Sequence, residues 1–82
     1  MNINDFILFV NNSIVPAQMT SCFIFKNKIL KVDISDNLWT IYKPVNDINN
    51  NFTHHQHIAD LNTITQVITN INGNNEFEQL FN

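Results

Sequence analysis

The chain has 82 residues, a net charge of −3 at pH 7 and only 13% charged residues, while 44% of its residues are hydrophobic. This length fits one domain over residues 1–82, and seven Phe, one Trp and one Tyr supply enough apolar volume to exclude a disordered chain. The 16 asparagines take the place of much of the usual charge, and the chain contains no arginine.

The basic residues are confined to the middle of the chain, and they are Lys26, Lys28, Lys31 and Lys43. From Pro44 to the end, every formally charged residue is acidic. The sequence therefore divides into a mildly cationic middle and an acidic second half. We expect a partner to bind the middle.

The first segment has the pattern of an amphipathic helix. Asn2 is a favourable N-cap, and Asp5 suits the first turn of a helix. The apolar side chains recur at helical spacing: Ile3, Phe6, Ile7 and Val10. A hairpin is the alternative, with a strand over residues 6–10, a turn at Asn11-Asn12 and a return through residues 13–15. We prefer the helix, and Pro16 ends either element.

Three short strands are predicted next, over Thr20–Phe25, Lys28–Ile34 and Leu38–Tyr42. Short turns around Asn27 and Asp36 separate them, because Asn and Asp tolerate the backbone of a tight turn. Strands that are joined in this way form an antiparallel meander.

The period of two along these strands assigns their side chains to two faces. We expect Pro44 to end the third strand. In the second strand Leu30, Val32 and Ile34 share one face, and Lys31 and Asp33 share the other. In the third strand Trp39 and Ile41 share one face, and Thr40 and Tyr42 share the other.

A second helix is predicted from Thr53 to Gly73. Thr53 and Gln56 fit a capping box, and the Asn72-Gly73 pair suits a helix end. The apolar residues form one helical stripe: Ile58, Leu61, Ile64, Val67, Ile68 and Ile71. The β-branched Thr63, Thr65 and Thr69 weaken helix propensity, so this helix is expected to depend on packing against the sheet.

A final helical turn is predicted over residues 76–81, where Phe77, Leu80 and Phe81 fall together and are expected to be docked. The predicted fold class is thus α+β. Its elements are a helix (or hairpin), a three-stranded antiparallel meander, an amphipathic helix and a short C-terminal helical turn.

No catalytic motif is present: the sequence has no Gly-rich phosphate loop, no Ser nucleophile elbow and no HExxH. We therefore expect a protein that is not an enzyme and needs no cofactor. Cys22 lies in an apolar run, which favours a buried structural thiol. His54 and His57 are weak candidates for metal ligands, since residues three apart share a helix face, but a second group of ligands is missing and no metal site is expected.

Aromatic and basic residues of the meander form the candidate partner-binding site, because a three-stranded sheet has two faces and one helix covers only one of them. Its members are Phe23, Phe25, Lys26, Lys28, Lys31, Trp39 and Tyr42. The favoured partner is a protein. The alternative is single-stranded nucleic acid, which stacks on aromatic side chains beside lysines. The negative net charge and the lack of arginine make nucleic acid less favourable.

These observations predict a small non-catalytic protein-binding protein: a stoichiometric inhibitor, an immunity protein or an accessory factor of phage or mobile-element type. A homodimer that covers the exposed sheet face is compatible with this function. The apolar run at residues 6–10 is too short for a signal-peptide core or a membrane span, so no membrane partner is predicted and the expected location is the cytoplasm.

The opening Met1-Asn2-Ile3-Asn4-Asp5, followed by an apolar residue and Ile7, resembles the start of small phage anti-CRISPR proteins that inhibit Cas9. The predicted order of helix, three strands and helix is also similar. The resemblance implies an inhibitor that binds a protein target. It covers about the first seven residues, and the seven acidic residues of this chain are scattered, whereas such an inhibitor acts as an acidic mimic of DNA.

Overall fold

The computed structural model describes residues 2–13 and 20–81. One α-helix precedes five strands that form a single antiparallel sheet in the order β1-β2-β3-β4-β5, so the fold class is α+β. The elements are α1 (Ile3–Ser13), β1 (Thr20–Phe25), β2 (Lys28–Ser35), β3 (Leu38–Asn46), β4 (Phe52–Asn62), β5 (Val67–Asn70) and two short 3₁₀ helices (Ile71–Gly73 and Glu78–Phe81). Within the described residues, no helix has the length and apolar character needed to cross a membrane.

The predicted first helix is confirmed. The Asp5 amide donates to Asn2 Oδ1 at 3.0 Å, and the Asn2 amide donates to Asp5 Oδ2 at 3.1 Å, which is a reciprocal capping box. The hairpin alternative is wrong, because the proposed Asn11-Asn12 turn is helical. Ser13, where the proposed return strand would begin, is helical too, and the rest of that strand and Pro16 lie outside the described residues.

The three predicted strands are present as β1, β2 and the first part of β3, but the predicted three-stranded meander is only part of the sheet, because β4 and β5 extend it to five strands. Lys26 and Asn27 both have positive φ, as a two-residue hairpin turn requires, and Asp36 has positive φ in the next turn. The prediction that Pro44 ends β3 is wrong, since β3 continues to Asn46. The pairing of β2 with β3 stops at Tyr42, so Pro44 has a paired strand on the β4 side alone, and proline is tolerated in such an edge segment.

The predicted second helix is wrong. Residues 53–70 form β4 and β5, and the Thr53 hydroxyl donates to the Val45 carbonyl at 2.8 Å instead of capping a helix. The Asn62 side chain accepts hydrogen bonds from the amides of Ile64 and Thr65, at 3.0 and 3.1 Å. This Asx turn redirects the chain where the helix prediction had placed the middle of the helix.

The core lies between one face of the sheet and a layer made of α1 and the C-terminal segment. Phe6 of α1 is fully buried, and its ring lies 4.9 Å from those of both Phe25 and Phe77. The C-terminal turn predicted over residues 76–81 is matched in part, as a 3₁₀ helix over Glu78–Phe81. Phe77, just before this helix, is fully buried and packs on Phe81, so the segment is docked on the core. This arrangement covers only one face of the sheet.

Candidate functional site

The other face of the sheet, which we call the open face, is the candidate site. Side chains that are directly opposite in neighbouring strands share a face, so the strand register assigns its members. The open face carries Thr20, Cys22, Ile24, Ile29, Lys31, Asp33, Leu38, Thr40, Tyr42, His57, Asp60, Val67 and Thr69.

Tyr42 occupies the centre of the open face. Lys31 pairs with it across β2 and β3, and the Lys31 ammonium lies 4.7 Å from the centroid of the Tyr42 ring. His57 pairs with it on the β4 side, with ring centroids 5.3 Å apart. The Lys31 ammonium also lies 3.9 Å from an oxygen of Asp33. These contacts hold the phenol in a fixed orientation on three central strands.

A β-bulge in β4 brings His57 and Asp60 together. Residues three apart on a regular strand lie on opposite faces, but the register shifts at the bulge from Ile41↔Ala59 to Tyr42↔His57, which leaves Ile58 as the extra residue. Ile58 and Ala59 are both buried in the core, and His57 Nε2 donates to Asp60 Oδ1 at 2.7 Å on the open face.

The carboxylates of Asp33 and Asp60 make the centre of the open face electronegative. Burial raises the pKa of Tyr42 above its ordinary value of 10.0, and the charge of Asp33, a hydrogen bond to Asp33 and the charge of Asp60 raise it further. The same two carboxylates favour a positively charged group from a partner at this position.

We expect an ultraviolet titration of tyrosinate to show an ionisation above pH 10.0, and Asp33→Asn to move it back toward that value. Tyr42 is the only tyrosine, so the signal reports one group. Because the folded pKa is the higher one, this contribution to stability is complete below pH 10.0 and is lost as the pH rises through the folded pKa. A wild-type titration identical to that of the unfolded chain would contradict this assignment.

Exposed aliphatic side chains flank the polar centre. Ile24 and Ile29 face each other across β1 and β2 and are 66% and 56% exposed. On the other side, Leu38 is 46% and Val67 is 55% exposed, and both line a depression of about 430 Å³ that also includes Asp60. The open face thus combines apolar margins with a charged and aromatic centre, which is the composition of many protein-binding surfaces.

The structure separates the residues that were predicted to form the partner-binding site. Phe25 and Trp39 are buried and Phe23 is partly buried on the core face, so these three side chains support the sheet. Tyr42 and Lys31 share the open face. The prediction missed Ile24, Leu38, His57, Asp60 and Val67, although alternation along β3 puts Leu38 on the same side as Tyr42.

The predicted lysine cluster does not form one patch. The Lys26 ammonium donates to the Leu80 carbonyl, and Lys43 forms an ion pair with Glu76 at 2.7 Å. Lys28 is the first residue of β2 and pairs with Phe25, so it belongs to the core face. It lines a groove of about 330 Å³ beside the C-terminal segment. Only Lys31 of these lysines contributes to the open face.

The candidate metal ligands are also separated. His54 and His57 lie on a strand, not on a helix; His54 pairs with Val45 and His57 with Tyr42, so they do not share a site. The described residues contain no group of three or more potential metal ligands. The expectation of a buried Cys22 thiol is wrong, because its side chain is exposed on the open face of β1.

Comparison of the chain with models of known protein families, with curated proteins and with solved structures gives no match.

Proposed function

We propose that this chain is a small non-catalytic protein that binds another protein through its open face, as a stoichiometric inhibitor, immunity protein or accessory factor of phage or mobile-element type. The observation that carries the proposal is an ordered sheet face on which exposed aliphatic side chains surround the Tyr42 centre. Exposed aliphatic side chains on both sides of an aromatic and charged centre are typical of surfaces that bind another protein.

The charges of the open face define the chemistry of the partner. Asp33 and Asp60 outnumber Lys31, and the whole chain carries a net charge of −3. The complementary surface is apolar at its margins and basic at its centre, so that an Arg or Lys of the partner meets the two carboxylates and the Tyr42 hydroxyl. A basic channel of a nucleic-acid enzyme is one such surface, which agrees with the resemblance of residues 1–7 to anti-CRISPR proteins. The cytoplasm, where such a target resides, is part of the proposal.

Two variants that each replace an exposed aliphatic side chain with lysine test the proposal. Leu38→Lys places a charge on the open face, whereas Ile48→Lys places the same charge on a fully exposed side chain of the β3–β4 loop. In a pull-down, we expect the wild-type chain to retain a host protein at near-equal stoichiometry. This protein is expected to be lost with Leu38→Lys and kept with Ile48→Lys. Calorimetry with the purified partner then measures the affinity of each variant. Equal retention by both variants contradicts binding through the open face.

Electrostatics provide a second arm of the same test. Asp33→Asn and Asp60→Asn are each expected to weaken binding and to reduce its dependence on salt, because each variant removes a negative charge that attracts the basic partner. Binding that strengthens in either variant contradicts a basic partner, even if the open face is the binding surface.

Single-stranded nucleic acid is a second candidate, because Lys31 and Tyr42 lie together on the open face and such a pair is suited to stacking. The open face lacks a continuous row of cations that could follow the phosphates of such a strand, because Lys26 bonds to the Leu80 carbonyl and Lys43 pairs with Glu76. A titration with single-stranded oligonucleotides across salt distinguishes the two candidates. Affinity that is absent at low salt excludes nucleic acid, and affinity that Tyr42→Ala removes supports it.

A further inference from the structure

The two edges of the sheet differ in how well they are protected. Edge strands are normally guarded by short length, charged residues or proline, because their free amides and carbonyls can pair with another strand. β5 has only four residues and leads directly into a 3₁₀ helix. β1 has six residues, Thr20–Phe25, with no charge and no proline. Among the described residues, no strand pairs with the outer edge of β1, and the neighbouring Lys26 turns away to the Leu80 carbonyl.

The turn between β1 and β2 determines which backbone groups point outward. A two-residue turn with positive φ at Lys26 and Asn27 makes Phe25 and Lys28 the pair that exchanges hydrogen bonds. Because such pairs recur at every second residue of an antiparallel ladder, Ser21 and Phe23 also bond toward β2. The amides and carbonyls that point away from the sheet therefore belong to Thr20, Cys22 and Ile24.

We propose that two copies of this chain pair through β1, antiparallel and in the register that places Cys22 opposite Cys22 of the second copy. In this register Thr20 faces Ile24 of the other copy, so each of the three outward residues both donates and accepts. A shift by one residue would oppose the open face of one copy to the core face of the other. A shift by two would leave one outward residue of each β1 without a strand partner. The seam carries no charge, so pairing brings no like charges together.

Pairing joins the two open faces into one continuous surface. At the usual spacing of about 4.8 Å between strands, a sheet of five strands is about 19 Å wide, and the ten strands of the pair are about 43 Å wide. The inference stands apart from the proposed function, since it depends on the edge of β1 and not on what the open face binds. The variants Leu38→Lys and Ile48→Lys are expected to leave the dimer intact, so the two proposals fail separately.

Cysteine crosslinking tests the register directly. Cys22 is the only cysteine, so any disulfide joins two copies. Oxidation by dissolved oxygen with a copper–phenanthroline catalyst is expected to convert the purified wild type into a dimer on a non-reducing gel. Against a Cys22→Ser background, Thr20→Cys or Ile24→Cys alone is expected to crosslink poorly, whereas an equal mixture of these two variants crosslinks efficiently. Efficient crosslinking of either one alone overturns the register.

Sedimentation and hydrogen exchange test the dimer itself. We expect wild type and Cys22→Ser to sediment with twice the mass of 9.5 kDa, and Cys22→Pro to lose the dimer because it lacks the outward amide. In the wild-type dimer the amides of Thr20, Cys22 and Ile24 are slow to exchange and become fast on dilution, while those of Ser21 and Phe23 stay protected. Two results overturn the proposal: a monomer at every attainable concentration, or a dimer in which these three amides exchange fast. If Cys22→Pro does not fold, the exchange rates of the wild type decide between the outcomes.

Discussion

Phe6→Ala is expected to lower the free energy of unfolding by about 3–5 kcal/mol. The Phe6 side chain is fully buried and lies at the centre of the aromatic core, with the rings of Phe25 and Phe77 each 4.9 Å away. A chain of this length has a total stability of about 4–12 kcal/mol, so the variant loses a large share of it. The loss is large because Phe6 connects all three parts of the core: α1, the sheet and the C-terminal segment.

Urea denaturation of Phe6→Ala and of Leu8→Ala measures this effect with a control from the same helix. Leu8 is 60% exposed, and leucine and alanine both favour helix, so Leu8→Ala is expected to change stability by no more than about 0.5 kcal/mol. If the two variants unfold at the same urea concentration, α1 does not pack on the sheet through Phe6.

Leu61→Ala is expected to destabilise the protein by about 2–5 kcal/mol, whereas Ile64→Ala is expected to have an effect within about 0.5 kcal/mol. Leu61 is fully buried on β4 beside Trp39, and Ile64 is 72% exposed in the β4–β5 turn. The helical stripe that the sequence suggests for residues 53–73 would place both side chains on the same buried face. The pair of variants therefore distinguishes the hairpin from the helix.

Thermal or urea unfolding of these two variants provides the measurement, and circular dichroism of each confirms that its fold is retained. Ile64→Ala keeps the Ile64 amide, which donates to the Asn62 side chain, so the Asx turn is unaffected. Similar and large losses in both variants would support the helix and contradict β4 and β5.

The first half of the fold could be predicted because its signals are local. The Asn2 and Asp5 side chains cap the backbone within four residues of each other, and Lys26 and Asn27 form a turn with the residues next to them. Alternation in β2 and β3 is unbroken where the two strands pair, so a period of two assigns the two faces within each strand. The pairing of Lys31 with Tyr42 then places these two residues on one face of the sheet.

The second half was mispredicted because the bulge in β4 disturbs that period. Ile58 and Ala59 are adjacent and both buried, which a regular strand with one open face does not give, and the spacing from Ile58 to Leu61 then imitates a helix. The bulge forms only when β4 lies against β3. No residue near it in the sequence marks its position, so alternation alone does not reveal it.

The sequence by itself determined the capped first helix, the tight turn between β1 and β2 and the alternation of side chains along β2 and β3, since each depends on neighbours within a few residues. Tertiary structure decided the rest. It paired β4 with β3, joined His57 to Asp60 across a bulge, directed Lys26 and Lys43 to the C-terminal segment and buried the aromatic side chains of β1 under α1. These outcomes depend on contacts between residues far apart in the chain, whose energies local patterns do not contain.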